Sequence, residues 1–199
     1  MEGSISKQFL RLFLVVLTIN MVINSSSATR PVAASRTSTD FIKKSCSSTT
    51  YPTLCFSSLA SQASAIQTSP KLLAHAALNV TLAMAKTTSV MMVQLSKSSG
   101  MKTGEVEAMQ DCLEELSDSV DELRRSIAEM GQINSSNYKL TMSDIQTWVS
   151  AALTDETTCS DGFDGKTKNG KVVRESILNI SHLTSNALAL INRYASLHG

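Results

Sequence analysis

The chain has 199 residues, with 18 Lys+Arg against 17 Asp+Glu and a formal net charge of +1. That suggests one domain and excludes a strongly basic nucleic-acid binder working by bulk counterion release. Hydrophobic residues make up 42%, enough for a core, but aromatics reach only 5%, with 8 Gly and 3 Pro. Sheet proteins favour aromatics and need turn residues about every 8–12 positions, so the composition points to an all-α chain of long helices.

The N-terminus reads as a secretory signal peptide over residues 1–28. Lys7 and Arg11 precede the apolar run from Leu12 to Ile19, which Met21, Val22 and Ile23 extend, and Ser26-Ser27-Ala28 supplies small residues for cleavage after Ala28. The run is shorter than the about 20 apolar residues of a membrane span, and no later stretch reads as a span. An exported chain without a membrane partner is expected. Residues 29–39, rich in Ser, Thr, Arg and Ala, read as a flexible segment. Asp40 is placed to cap a short helix through Phe41, Ile42, Lys43 and Lys44, and Pro52 opens a second, giving a helical hairpin over 40–69.

Ser69-Pro70 is a helix start, with Ser as N-cap and Pro at the first helical position. No Gly or Pro follows from 71 to 99, where Leu73, Ala76, Val80, Ala83, Thr87, Val90 and Met91 keep a helical period, and Gly100 and Gly104 end the helix. A second bundle helix is predicted over 105–130, stopped by Gly131. After a loop over 132–141, Thr141 or Ser143 caps a third helix reaching about Cys159, with Ile145, Trp148, Val149, Ala152 and Leu153 as its apolar face. Trp148 is assigned to core packing. Gly162, Gly165 and Gly170 mark the next loop. The fourth helix, 171–197, carries Val173, Ile177, Ile180, Ala187, Leu190, Ile191 and Tyr194. Four long helices with short loops predict an up-down-up-down bundle over 70–199.

Four cysteines, Cys46, Cys55, Cys112 and Cys159, follow the leader, and an even count in a secreted chain implies two disulfides. Three connectivities are possible. The sequence-adjacent pairing, Cys46–Cys55 and Cys112–Cys159, is preferred, because Thr49-Thr50-Tyr51-Pro52 between the first two is turn-like. The second bond would close a loop of about 48 residues, worth roughly 4 kcal/mol on the chain-entropy treatment. With no C-x-x-C, and with His75, His182 and His198 away from the cysteines, no metal site is expected.

Charge is unevenly spread. Residues 29–103 hold eight basic and one acidic residue (net +7), residues 104–164 fourteen acidic and three basic (net −11), and residues 165–199 five basic and one acidic (net +4). On the second bundle helix, Glu107, Asp111, Glu114, Asp118 and Asp121 share one face, opposite Met109, Cys112, Leu113, Leu116, Val120, Leu123 and Ile127. A charged stripe is ordinarily a solvated face. Unrelieved by Lys, it costs a few tenths of a kcal/mol per pair, which suggests a cationic partner surface, raised carboxyl pKa values and pH-sensitive binding.

No G-x-S-x-G, H-E-x-x-H or P-loop is present. Ser136-Asn137-Tyr138-Lys139 matches S-x-x-K at the level of chance, and the stretch from Asp161 to Gly165 lacks the ligands of a calcium loop. A binding protein without enzyme activity, cofactor or metal is expected. Sequons for N-glycosylation stand at Asn79, Asn134 and Asn179, with Asn134, in a loop, the best acceptor.

The run from Gln146 to Phe163, with its Trp148, Ser150-Ala151-Ala152-Leu153 and Thr157-Thr158-Cys159, resembles the plant invertase/pectin methylesterase inhibitor family. So do Cys46 and Cys55 around Tyr51-Pro52, Asp111-Cys112-Leu113-Glu114, Val120-Asp121-Glu122-Leu123 and the stretch from Ser185 to Ile191. The likeness covers residues 40–195. It implies a four-helix bundle behind a disulfide-stapled hairpin, with the same pairing of cysteines, the second bond linking bundle helices 2 and 3. A chain stopping at Gly199 looks like a free-standing inhibitor, domain 40–199, rather than the pro-region of a methylesterase.

Invertase-directed members carry Pro-Lys-Phe in the loop between bundle helices 2 and 3. Residues 131–142 have neither Pro nor Phe, Tyr138-Lys139-Leu140 being nearest, so the pectin methylesterase branch is favoured. The resemblance implies that the bundle lies across the pectin-binding cleft of pectin methylesterase in the cell wall. Glu114, Asp118 and Asp121 on one helix, with Thr158 and Asp161 on the next, would be the contacts. Gln110 departs from the apolar or aromatic residue often found there. The alternatives are an inhibitor of acid invertase and a non-inhibitory cell-wall or receptor-binding bundle. The oligomeric state stays open, with a monomer expected.

Overall fold

Local signals place most helix starts. In the computed structural model, which describes residues 30–97 and 101–198, the chain forms α1 (Arg30–Cys46), α2 (Pro52–Leu59), a 3-10 turn (Ala60–Gln62) and α3 (Ala63–Ile66). The four long helices follow: α4 (Pro70–Ser96), α5 (Thr103–Gln132), α6 (Tyr138–Asp161) and α7 (Lys168–Ser196). The expected signal peptide over 1–28 lies outside the described residues. The chain divides into two units, Met1–Arg36 and Thr37–Gly199. Of the first, residues 30–36 are helical; the second holds the hairpin and the bundle.

Pro opens α2 and α4, and Ser69 Oγ accepts the Leu72 N–H at 3.3 Å, capping α4. Thr167 Oγ1 accepts the Gly170 N–H at 3.0 Å and caps α7. Glu105 does two jobs: its Oε2 accepts the Lys102 N–H at 3.1 Å at the start of α5, and its Oε1 takes the Thr167 hydroxyl at the start of α7. The Thr167 bond leads in holding the Glu105 carboxyl below its ordinary range. Gly170 makes room for this link, since a Cβ there would meet Glu105 Oε1 at 2.9 Å.

The helices pack cyclically, α4 on α5, α5 on α6, α6 on α7 and α7 back on α4, an up-down-up-down square. The core runs through Leu78, Ala85 and Met92 of α4, Cys112, Leu116 and Leu123 of α5, Ile145, Val149 and Ala152 of α6, and Ile177, Ile180 and Ile191 of α7. Two disulfides, Cys46–Cys55 and Cys112–Cys159, tie α1 to α2 and α5 to α6. The hairpin is held to α7 by Asn186, whose Oδ1 accepts the Tyr51 N–H and whose Nδ2 donates to the Tyr51 carbonyl, both at 3.0 Å. Tyr51 stacks on His182 with ring centroids 3.7 Å apart.

Several expectations need correction. Asp40 sits inside α1 (Arg30–Cys46) and does not cap a helix. α5 runs through Gly131 to Gln132, because a glycine in a last, open turn costs little. α6 starts at Tyr138 rather than at 141–143, shortening the loop to residues 133–137. α4 is apolar on all sides, so periodicity picked the wrong phase beyond its first turns. Val90 is 59% exposed, and Ala83 and Thr87 face outward, while Thr81, Ala85 and Thr88 are buried. By length and composition α4 is also long and apolar enough to cross a membrane, contrary to the expectation that no stretch past the leader is. Here its buried face packs against α5 and α7 as one wall of the bundle.

Candidate partner-binding surface

The acidic stripe forms as the 3.6-residue period dictates: Glu107, Asp111, Glu114, Asp118 and Asp121 are all exposed along α5. Gln110 is exposed as well, so its departure from the family pattern touches surface and not packing. The Cys112–Cys159 bond brings the two Cα atoms to 4.4 Å and fixes the antiparallel register of α5 and α6. Asp161 therefore lies one way along the bundle from that bond, and Glu114, Asp118 and Asp121 lie the other way. At 1.5 Å per residue the set spans about 17 Å. Thr158 and Asp161 are exposed near the end of α6. The Thr158 hydroxyl donates to the Thr154 carbonyl at 2.9 Å. Asp121 pairs with Arg124 one turn on, and Asp161 lies 4.0 Å from Arg174. All five candidate contacts thus stand exposed on α5 and α6.

A second layer of carboxyls, missed in the sequence, lies behind the stripe. Glu115 and Glu122 of α5 are half-buried on either side of Asp155 of α6, each within hydrogen-bonding reach of it. Burial, then the charge of Asp155, pushes Glu122 up to about 7. Burial also leads in raising Glu115 and Asp155. Deeper still, Glu156 is fully buried at the junction of α5, α6 and α7. Ser119 Oγ and Thr184 Oγ1 donate to its Oε1, each at 2.9 Å, and its Oε2 has no partner. Burial outweighs those two bonds and lifts the carboxyl to about 8, so Glu156 is mostly a neutral acid at pH 7. The sequence carried a signal for it. Ile145, Val149, Ala152, Glu156 and Cys159 follow the i, i+4, i+7 spacing of the apolar face, and a Glu on that stripe must be buried.

Trp148 is half-buried, not a core residue; Arg125 covers its ring at 4.9 Å from the centroid. The histidines serve packing and local bonds: His75 meets Asn79, His182 stacks on Tyr51, and His198 packs on Tyr138 and Tyr194. Among the sequons, Asn134 and Asn79 are exposed and Asn179 is half-buried. Among the described residues no group of three His, Cys, Asp or Glu is arranged to hold a metal ion.

This architecture, a disulfide-registered four-helix bundle with a stapled hairpin docked on its last helix, defines a class of helical binding domain with an acidic face on two adjacent helices. A profile of the plant invertase/pectin methylesterase inhibitor family matches residues 40–190, and the chain belongs to that family. It is 46% identical over 194 residues to pectinesterase inhibitor 11 of Arabidopsis thaliana, covering 94% of this chain and 96% of the relative. It is 44% identical over 172 residues to a 21 kDa protein of Daucus carota, covering 83% and 89%. The solved structure of a mutant form of a pectin methylesterase inhibitor from Arabidopsis shares the fold. Its TM-score is 0.62 at 21% identity, over 74% of this chain and 92% of that one.

Proposed function

We propose that the chain is an inhibitor that binds a pectin methylesterase through the α5–α6 face and closes its substrate cleft, acting by occlusion and without chemistry. The observation that carries this reading is the exposed acidic row of Glu114, Asp118 and Asp121, held in register with Thr158 and Asp161 by the Cys112–Cys159 bond. An enzyme that takes a polyanion presents cationic side chains at its cleft, and a carboxylate row complements them. The likeness to pectinesterase inhibitor 11 over almost the whole of both chains supports the same target class. A secretory leader and two disulfides fit secretion to the cell wall.

The test is a titration of the secreted, disulfide-intact chain against a plant pectin methylesterase and a plant acid invertase in parallel. Methylesterase activity should fall to a plateau at one inhibitor per enzyme, with invertase unaffected. Loss of invertase activity alone, or no effect on either enzyme, would overturn the reading.

A further inference from the structure

One end of the bundle carries a feature that the acidic face does not use. Tyr138, the first residue of α6, meets the last turn of α7 with its ring centroid 6.0 Å from Tyr194 and 5.3 Å from His198. The Tyr138 hydroxyl donates to the Ala195 carbonyl at 3.4 Å, which fixes the ring. These three rings, with Lys139 and Asn134, line a cavity of about 560 Å³. That volume falls within the roughly 300–1,000 Å³ of small-molecule sites. Aromatic walls with a polar rim suit a sugar ring, whose C–H face packs on π-faces while its hydroxyls stay wet.

The same cavity is lined by the acceptor of a sequon. Asn134 is exposed, and its Oδ1 accepts the Ser136 hydroxyl at 2.6 Å, the Ser136 N–H at 3.0 Å and the Asn137 N–H at 3.2 Å. Asn134 Nδ2 donates to the Gln132 carbonyl at 3.3 Å, a bond that a substituted amide, with one hydrogen left, can still make. In the Asn79 sequon, by contrast, Thr81 is buried and donates to the Ala77 carbonyl at 2.9 Å.

We propose that Asn134 carries an N-linked glycan whose first N-acetylglucosamine seats against Tyr138, Tyr194 and His198. In the transfer, Asn134 Nδ2 bonds to C1 of the sugar of a lipid-pyrophosphate-linked oligosaccharide. The bond from C1 to the pyrophosphate oxygen breaks, the lipid pyrophosphate leaves, and the amide loses one proton. The occupant of the cavity is thus tethered at its rim. Asp121, the nearest of the five candidate contacts, lies 11 residues before the end of α5, about 17 Å at 1.5 Å per residue, so the seated first sugar stays off the acidic row.

The experiment secretes the full chain from a eukaryotic host in the presence of a mannosidase inhibitor, maps the Asn134 peptide by mass, and trims each glycan to a single sugar with endoglycosidase H. The same is done for Ser136→Ala, which removes the sequon. Bacterially made versions of both chains give the effect of the lost hydroxyl alone. The single sugar at Asn134 is expected to raise Tm by about 2–4 °C beyond that hydroxyl effect, and the gain should shrink in a chain carrying His198→Ala. An unmodified Asn134 peptide overturns the site. A modified Asn134 with no sugar-dependent change in Tm, or a change indifferent to His198→Ala, overturns the seating.

Discussion

Glu156→Gln removes one ionisable proton from the junction of α5, α6 and α7 and keeps the side chain's shape and its acceptor for Ser119 and Thr184. The group ionises at 4.5 in the unfolded chain and at about 8 in the folded one. A carboxyl raised in this way holds its proton more tightly when folded. Its contribution to stability is therefore full below pH 4.5, declines as pH rises, and is gone above about 8. At about 1.4 kcal/mol per pKa unit, the ceiling on the loss between pH 5 and 8 is on the order of 4 kcal/mol, and water entry and relaxation lower it to roughly 2–3 kcal/mol. Gln cannot ionise and escapes this loss. Urea unfolding of both chains at pH 5, 6, 7 and 8 with disulfides intact, followed by fluorescence of the one Trp, measures the difference. At pH 5 the two should agree within about 1 kcal/mol, and by pH 8 Gln should be the more stable. Glu115, Glu122 and Asp155 titrate in both chains and largely cancel. Parallel stability profiles would refute the assignment of Glu156 as a buried neutral acid.

Charge reversal at Asp118 and Asp121 together should slow association with pectin methylesterase by about tenfold or more at low salt and weaken the salt dependence, read by stopped-flow inhibition kinetics. Replacing Cys112 and Cys159 by Ala should cost up to about 4 kcal/mol in urea unfolding, given a sequence separation of 47. Asn186→Ala removes both bonds to Tyr51, and amide exchange over 52–59 should quicken before the bundle loosens, a local loss of about 1–3 kcal/mol. Gln67 has φ of 53°, a region that glycine prefers, so Gln67→Gly should raise stability by about 1 kcal/mol in the same unfolding assay.

The helices were legible where one face differed from the other. α7 alternates sharply, and all seven of its expected core residues, from Val173 to Tyr194, are buried. The acidic stripe of α5 was legible for the same reason. α4 was not, because Ala, Val, Leu and Met surround it and its buried face includes Thr81, whose hydroxyl bonds back to the Ala77 carbonyl. A small hydroxyl satisfied by its own helix is invisible to a hydrophobic count. Glu156 stands on the apolar stripe, so its burial is legible, but the partners that shelter it, Ser119 and Thr184, are distant in sequence and are not. α6 starts ahead of the Thr141 and Ser143 caps that the sequence offers, at Tyr138, whose contacts with α7 are tertiary and leave no local signal.

The Asn186 clamp on Tyr51 joins residues 135 apart in the chain. The hairpin is synthesised before the bundle, yet its docking site on α7 is the last bundle helix to be made. The short Cys46–Cys55 loop can close while the bundle is still incomplete, so the hairpin waits as a pre-stapled unit. The order of synthesis and the order of assembly therefore run in opposite directions at the N-terminus. A chain truncated before α7 would keep its first disulfide and have nowhere to lay the hairpin down.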